Sequence, residues 1–179
     1  EGALANGIQV GVYFYSGASN AREAYDEASY CISLIRDYQI TYPVAFDWEL
    51  DGDYDSVTEA CETFCNVISS YGYQPMVYSN RNRWYNNFDG EKIASKYKVW
   101  MAAYFGKFYY DSVRWTYGDD LPNFRYHYDM WQYSSRCYVD GISGQVDVDI
   151  AFFGYANYHV DTKDAVLTVT NKEIKRTYG

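Results

Sequence analysis

Val44-Ala45-Phe46-Asp47-Trp48-Glu49 places two carboxylates two positions apart in a run of β-branched and aromatic residues. In a strand such residues project to one face, which brings Asp47 and Glu49 together and sends Val44, Phe46 and Trp48 to the other side. Two acids that close repel when both are ionised, so one keeps its proton to higher pH. A carboxylic acid held protonated near neutrality is what cleavage of a glycosidic bond requires of its general acid. Spacing alone leaves a second reading open, of solvated acids at a strand end beside the Asp-rich turn 51–55. Asp147 and Asp149, within Gln145-Val146-Asp147-Val148-Asp149-Ile150, repeat the pattern, and taken alone that pair reads as solvated acids flanking an apolar edge. Together the two pairs make a strongly negative floor. Calcium suits such a floor, but no EF-hand-like spacing occurs, so a glycosidase ranks above a metal site and neither metal nor cofactor is expected.

The elements that must position these acids follow from the hydrophobic periodicity, which alternates between two and 3.6. Residues 8–15 (IQVGVYFY) read as a strand closed by Ser16-Gly17. Asn20 with Glu23 resembles a capping box, and Ala24, Ala28, Cys31 or Ile32, Ile35 and Tyr38 share one face of the helix of about 18 residues that follows. The strand at 44–49 is opened by Pro43 and broken at 51–53. Ser56 with Glu59 suggests a second capped helix, striped by Val57, Cys61, Phe64, Ile68 and Tyr71 and ended by Gly72. Strands at 75–79, 98–104, 129–133 and 145–150 and a short helix at 91–97 complete the series. Strands alternating with helices imply βαβ units and a parallel sheet. No Gly-rich phosphate loop follows the first strand, which favours a (β/α) barrel over an open doubly wound sheet. The polar segment 159–179 reads as a linker or the start of a β-rich module, leaving 1–158 as the main domain.

Composition narrows the partners. With 24 acidic against 15 basic residues and a net charge of −9, the chain lacks the basic face that neutralises phosphates, so nucleic acid is excluded as a partner. No apolar run approaches the length that spans a bilayer. Aromatics make up 21% of the chain, 23 of them Tyr, more than core packing requires, and their flat faces with polar edges suit sugar rings. Cys31, Cys61, Cys65 and Cys137 are expected to be buried free thiols, with a disulfide as the alternative, and His127 and His159 to be surface or structural histidines.

Six short segments, in order, resemble the glycoside hydrolase family 25 lysozymes, bacterial and phage N-acetylmuramidases. They are the G-x-x-V-G-x-Y strand within residues 3–14, Tyr42-Pro43-Val44 with Asp47-Trp48-Glu49, Met76-Val77-Tyr78-Ser79-Asn80, Val99-Trp100-Met101-Ala102-Ala103-Tyr104, Met130-Trp131-Gln132-Tyr133-Ser134-Ser135, and Gly141-Ile142-Ser143-Gly144-Gln145-Val146-Asp147. The resemblance covers residues 3–155. It implies an irregular (β/α), TIM-like barrel that hydrolyses the β-1,4 bond between N-acetylmuramic acid and N-acetylglucosamine of peptidoglycan, outside the cell or at the cell wall. By position, Glu49 resembles the family's proton donor, and Asp47 the partner that stabilises charge developing as the substrate's own acetamido group attacks. Asp147 resembles a further acid of the site. Tyr13, Tyr78, Trp100, Tyr104, Trp131 and Gln132 resemble positions lining the groove, with Asp149 beside them, and for any one of these aromatics core packing between strand and helix is the alternative.

Two departures stand out. The family usually carries Asn at the position of Asp149, so this chain adds an acid to the floor. Family members also open with a D-x-S-x-x-Q-G strand and a second strand, neither of which occurs in these 179 residues. The expectation is an N-terminally incomplete barrel of impaired activity, whose first visible strand offers an unpaired edge for self-association. Two other functions were weighed: a non-catalytic module that binds wall glycans, and a chitinase-like barrel. Tyr42 and Ala45 stand where the latter's D-x-x-D-x-D-x-E strand needs upstream acids.

Overall fold

In the computed structural model of the chain, residues 1–105 and 121–153 are described. A short α1 (Gly2–Ala5) leads into β1 (Val12–Tyr15), followed by α2 (Ala21–Ile35), β2 (Val44–Asp47), α3 (Tyr54–Ser70), β3 (Pro75–Asn80), α4 (Arg81–Asn86), α5 (Gly90–Ala94), β4 (Lys98–Ala102), β5 (Met130–Cys137) and β6 (Val146–Ala151). The strands form one six-stranded sheet in sequence order. The segment 159–179 lies outside the described residues.

Local chemistry starts and stops the helices. Asn20 caps α2 by accepting from Glu23 N at 3.0 Å. The Glu23 carboxylate in turn accepts from Ser19 N and Oγ at 2.8 and 2.9 Å, one residue ahead of the cap. The cap of α3 is Asp53 rather than Ser56, because the Asp53 carboxylate takes both Ser56 N and Ser56 Oγ, at 3.1 and 2.9 Å. That helix therefore starts one turn earlier than the Ser56–Glu59 pattern predicts, with an anion at the positive end of its dipole. Gly72, at φ +84°, supplies the left-handed turn after α3 that a side chain resists. The helix α4 was not foreseen: it is one of the shortest, starting directly at the end of β3 with Asn80 accepting from Arg83 N at 3.0 Å.

Strands β1 to β5 are mutually parallel, as the alternation of strand and helix predicts. The last strand corrects that expectation. It pairs antiparallel with β5, since the connection from Cys137 to Val146 contains no helix to carry the chain back. Register shifts at Gln132/Ser134 and Ser134/Cys137 mark this pairing and increase its twist.

The sheet separates two environments. On its outer face Val44, Phe46, Trp48, Val77, Val99, Met101, Trp131 and Tyr133 pack under α2, α3 and α4 in one large core. Small residues Ala24 and Ala28 on α2, and Ala60 and Cys61 on α3, bring the two helices close. Phe64 fills the space beneath, 5.2 Å from Phe46 and 5.9 Å from Phe14 between ring centroids. Each such fully buried large side chain stabilises the fold by about 1.5–3 kcal/mol. All four cysteines are buried and free in this core, so the disulfide alternative is not realised. The inner face carries a smaller cluster of Ala45, Met76 and Met130, with Tyr42, Trp100, Ala151 and Phe153 against it. Tyr42 stacks on Phe153 at 5.0 Å, tying the entry of β2 to the exit of β6, so the sheet curls into a half-barrel with its concave side toward the paired acids.

Candidate active site

Asp47 ends β2 at the carboxyl end of the parallel strands, the end where barrel enzymes build their sites. It faces inward, opposite Tyr15 on one side and Tyr78 on the other, and is 6% exposed. Burial, then the charges of Glu49 and Asp147, push its pKa up from 3.8 to about 7. Its Oδ1 is buried with no hydrogen-bond partner. An acceptor in that condition is costly to keep, and it marks a place where a donor from outside the protein fits.

Glu49 follows on the same side, half-buried. Its backbone is clamped from both directions: Ser79 Oγ donates to the Trp48 carbonyl at 2.7 Å, and Arg83 Nε to the Leu50 carbonyl at 2.9 Å. Neither clamp was legible in the sequence. Ser79 lies in a recognisable strand, but its hydroxyl, on the outer face with Val77, shows its use only once β2 is beside it, and Arg83 belongs to the unforeseen α4.

Tyr78, on β3, and Tyr104, just after β4, both donate to Gln132 Oε1, at 2.7 and 2.6 Å. Burial raises the pKa of both phenols, so they remain protonated donors. Trp100 crosses Tyr78 edge-on at 4.6 Å, and its indole Nε1 donates to Asp149 Oδ1 at 2.7 Å. Asp149 presents surface to solvent, yet the protein packed around it pushes its pKa to about 7, with Trp100 pulling it down and Asp147 pushing it up. Direct solvent contact screens that carboxyl, so its shift carries less energy than that of Asp47. Tyr13 stands exposed on β1, an edge strand of the sheet.

The fold thus brings Asp47, Glu49, Asp147, Tyr78, Tyr104, Trp100, Gln132 and Asp149 to one concave surface. Trp131 is the correction. It alternates to the outer face of β5, is fully buried in the helix-side core, and its Nε1 donates to the Ala103 carbonyl at 2.8 Å. The neighbouring Gln132 takes the inward place, as period two demands.

A cavity of about 310 Å³ also opens on the concave side, lined by Tyr13, Ala45, Met76, Trp100, Met130 and Asp149 among others. It reaches Asp149 but not Asp47 or Glu49. Its hydrocarbon walls make it the lower interior of the half-barrel, and the chemistry belongs to the acids above it. Among the described residues no group of three or more His, Cys, Asp or Glu is arranged to hold a metal ion. His127 sits at the surface with Nε2 3.2 Å from Asp129 Oδ1, and His159 lies outside the described residues.

Comparison with known proteins places the chain by family and fold. The lysozyme of Streptococcus phage Cp-1 is 29% identical over 137 residues, covering 71% of this chain and 37% of that protein. Among solved structures, the modular autolysin LytC from Streptococcus pneumoniae in complex with a synthetic peptidoglycan ligand is 29% identical with a TM-score of 0.65, covering 83% of this chain and 35% of that one. The modular Cpl-1 endolysin complexed with a tetrasaccharide-pentapeptide peptidoglycan analogue is 26% identical with a TM-score of 0.58, covering 79% and 39%. The chain spans between a third and two fifths of the length of each of these relatives. The model of the Glycosyl hydrolases family 25 matches residues 1–142, most of the chain and all the elements from α1 to β5, and the chain belongs to that family.

Proposed function

We propose that this chain is a peptidoglycan hydrolase, a muramidase that cleaves the β-1,4 bond between N-acetylmuramic acid and N-acetylglucosamine. The observation that carries the reading is Asp47: a buried carboxyl with an unpartnered oxygen, beside Glu49 and Asp147 at the carboxyl end of β2. Membership of the family, and relatives described as a lysozyme and as complexes with peptidoglycan analogues, support it.

In the mechanism Glu49, the more accessible acid, donates its proton to the glycosidic oxygen as the bond from that oxygen to the anomeric carbon breaks. The substrate's acetamido oxygen forms the new bond to that carbon. Its N–H donates to Asp47 Oδ1, which satisfies the orphaned acceptor and favours the ionised carboxylate that offsets the developing positive charge. Water then attacks the anomeric carbon as its bond to the acetamido oxygen breaks, the acetamido group is regenerated, and the water's proton goes to Glu49. Asp147 adds to the negative field, while Tyr13, Tyr78, Trp100, Tyr104, Gln132 and Asp149 line the glycan groove. Residues 1–158 form the catalytic unit. The enzyme works outside the cell or at the wall, on a bacterial polymer. No helix among the described residues is long and apolar enough to cross a membrane. Copies associate through β1, whose outer edge has no strand partner among the described residues, and sedimentation that stays monomeric at high concentration would contradict this.

Reducing-end release from purified walls tests the chemistry. Glu49→Gln is expected to lower it by about 10²-fold or more while pull-down on walls persists. A wild-type chain that binds walls and releases no ends is instead a glycan-binding module.

A further inference from the structure

Outside the acidic groove, one surface is unlike the rest of this acidic chain. A groove of about 540 Å³ is lined by Arg81, Asn82, Tyr85, Asn123 and Arg125, with no carboxylate among them. Three other arginines among the described residues find acids: Arg22 lies 3.2 Å from Asp26, Arg36 3.9 Å from Asp37 and Arg83 3.9 Å from Asp51. Arg81 and Arg125 make no such pair among the described residues, although the chain carries 24 acids.

Arg125 is held rather than loose. Its guanidinium lies over the Tyr85 ring at 4.9 Å and reaches Tyr126 at 6.0 Å. Its backbone N–H donates to the Tyr85 hydroxyl at 3.1 Å. Tyr85 in turn stacks on Phe124 at 5.5 Å with ring planes 22° apart. Stacking fixes the guanidinium plane and leaves its N–H edge free to donate, which lowers the entropy lost on binding a planar anion. Asn82 is oriented as well. Its Oδ1 accepts from Asn86 Nδ2 at 2.8 Å, so its own Nδ2 remains a donor. The groove therefore offers donors and positive charge, with an aromatic wall beside them.

Its place is telling. Arg81 opens α4 directly after β3, and two residues on, Arg83 holds the carbonyl next to Glu49. A polymer lying along the acidic groove has its uncharged sugars there, while anionic groups attached to it are repelled by Asp47, Glu49, Asp147 and Asp149. Arg81 and Arg125, with no acid partner among the described residues, offer such groups positive charge.

We infer that the Arg81–Tyr85–Arg125 groove binds the free carboxylates of the peptide stems on the glycan substrate, as a second site on the rim of the cleft. Carboxylates match the planar donors, and apolar side chains of a peptide match the Tyr85 wall, which a polyol phosphate lacks. The inference rests on the proposed peptidoglycan substrate only for the identity of the ligand, and the test separates the two.

The full chain is titrated by NMR with an acidic pentapeptide free of sugar, with the same peptide amidated at every carboxylate, and with a glycerol phosphate oligomer. The free acid is expected to bind about tenfold more tightly than the amide, as a charge-assisted pair gives, and to weaken at high salt. Arg81→Gln and Arg125→Gln, both at exposed positions, should each erase most of that difference. The same variants should cleave peptide-free glycan at the wild-type rate. Equal binding of acid and amide, unchanged affinity in both variants, or tighter binding of the phosphate oligomer than of the peptide overturns the inference. Failure of the wild-type chain to cleave any glycan overturns the proposed hydrolase and leaves the peptide result to be judged on its own.

Discussion

Tyr78 and Gln132 stand on strands that do not touch, yet the Tyr78 hydroxyl donates to Gln132 Oε1 at 2.7 Å. The strand β4 lies between them, and in a flat sheet their backbones would be nearly 10 Å apart, two strand spacings of about 4.8 Å. Side chains of this length meet because the sheet curls and both point into the concavity. Tyr104 reaches the same oxygen at 2.6 Å, so one buried amide oxygen gathers two phenols.

That junction makes Gln132→Leu informative. Removing the shared acceptor takes a hydrogen bond from the buried Tyr78 hydroxyl, at a cost of about 1–3 kcal/mol, and removes one of the contacts that hold Tyr104. Denaturant unfolding should show the destabilisation, and wall hydrolysis should fall further than stability alone explains. Tyr78→Phe combined with Gln132→Leu should cost less than the sum of the single changes, since each removes the same hydrogen bond. Additive losses would mean the contact carries no coupling.

Asp47 ties stability to pH. Its pKa rises from 3.8 to about 7 in the fold, so between those values the folded state holds a proton that the unfolded chain has released. A raised folded pKa means stability that is fully present below pH 3.8 and is lost as pH rises through about 7. The difference corresponds to roughly 4 kcal/mol at most. Asp47→Asn removes the ionisation and should melt higher than the wild type at pH 8, with the gap closing toward pH 4, while hydrolysis collapses. A wild-type stability that does not change between pH 4 and pH 8 would contradict this placement of Asp47.

Asp149 is the acid where the family usually has Asn. Its pKa, pushed up to about 7 by the surrounding protein, puts a second titration near neutrality in the same cleft. Asp149→Asn keeps an oxygen to accept from Trp100 Nε1 but removes the charge. The pH profile of hydrolysis should then lose one ionisation between about pH 6 and 8, with little change in melting temperature. An unaltered profile would show that Asp149 is silent in the reaction.

Much of this was legible because period-two alternation at Val44–Asp47 dictates both which side chains enter the core and which acids share a face. The outer run of Val44, Phe46 and Trp48 and the inward Asp47 fell where spacing put them. What the sequence could not reveal is long-range. The antiparallel turn of β6 depends on a connection too short for a helix, and the Trp100–Asp149 bond spans 49 positions. The clamps on Glu49 come from β3 and from α4, a six-residue helix with too few turns to print a periodicity. Trp131 was misplaced because its motif resembles a groove segment, although the alternation through Gln132 already assigned one of the two to each face.

Trp131 accordingly separates packing from binding. It is fully buried between Phe105 and Tyr133, at 5.9 and 5.8 Å, with its N–H committed to Ala103. Trp131→Phe keeps an aromatic ring but leaves a void and an unpaired carbonyl, and should destabilise by about 1–3 kcal/mol. Below the new melting temperature kcat and KM should match the wild type, because the ring never meets the glycan. Trp100→Phe should behave in the opposite way, raising KM with little loss of stability, since that indole faces the cleft and steadies Asp149. A Trp131→Phe variant of wild-type stability and raised KM would return this residue to the groove.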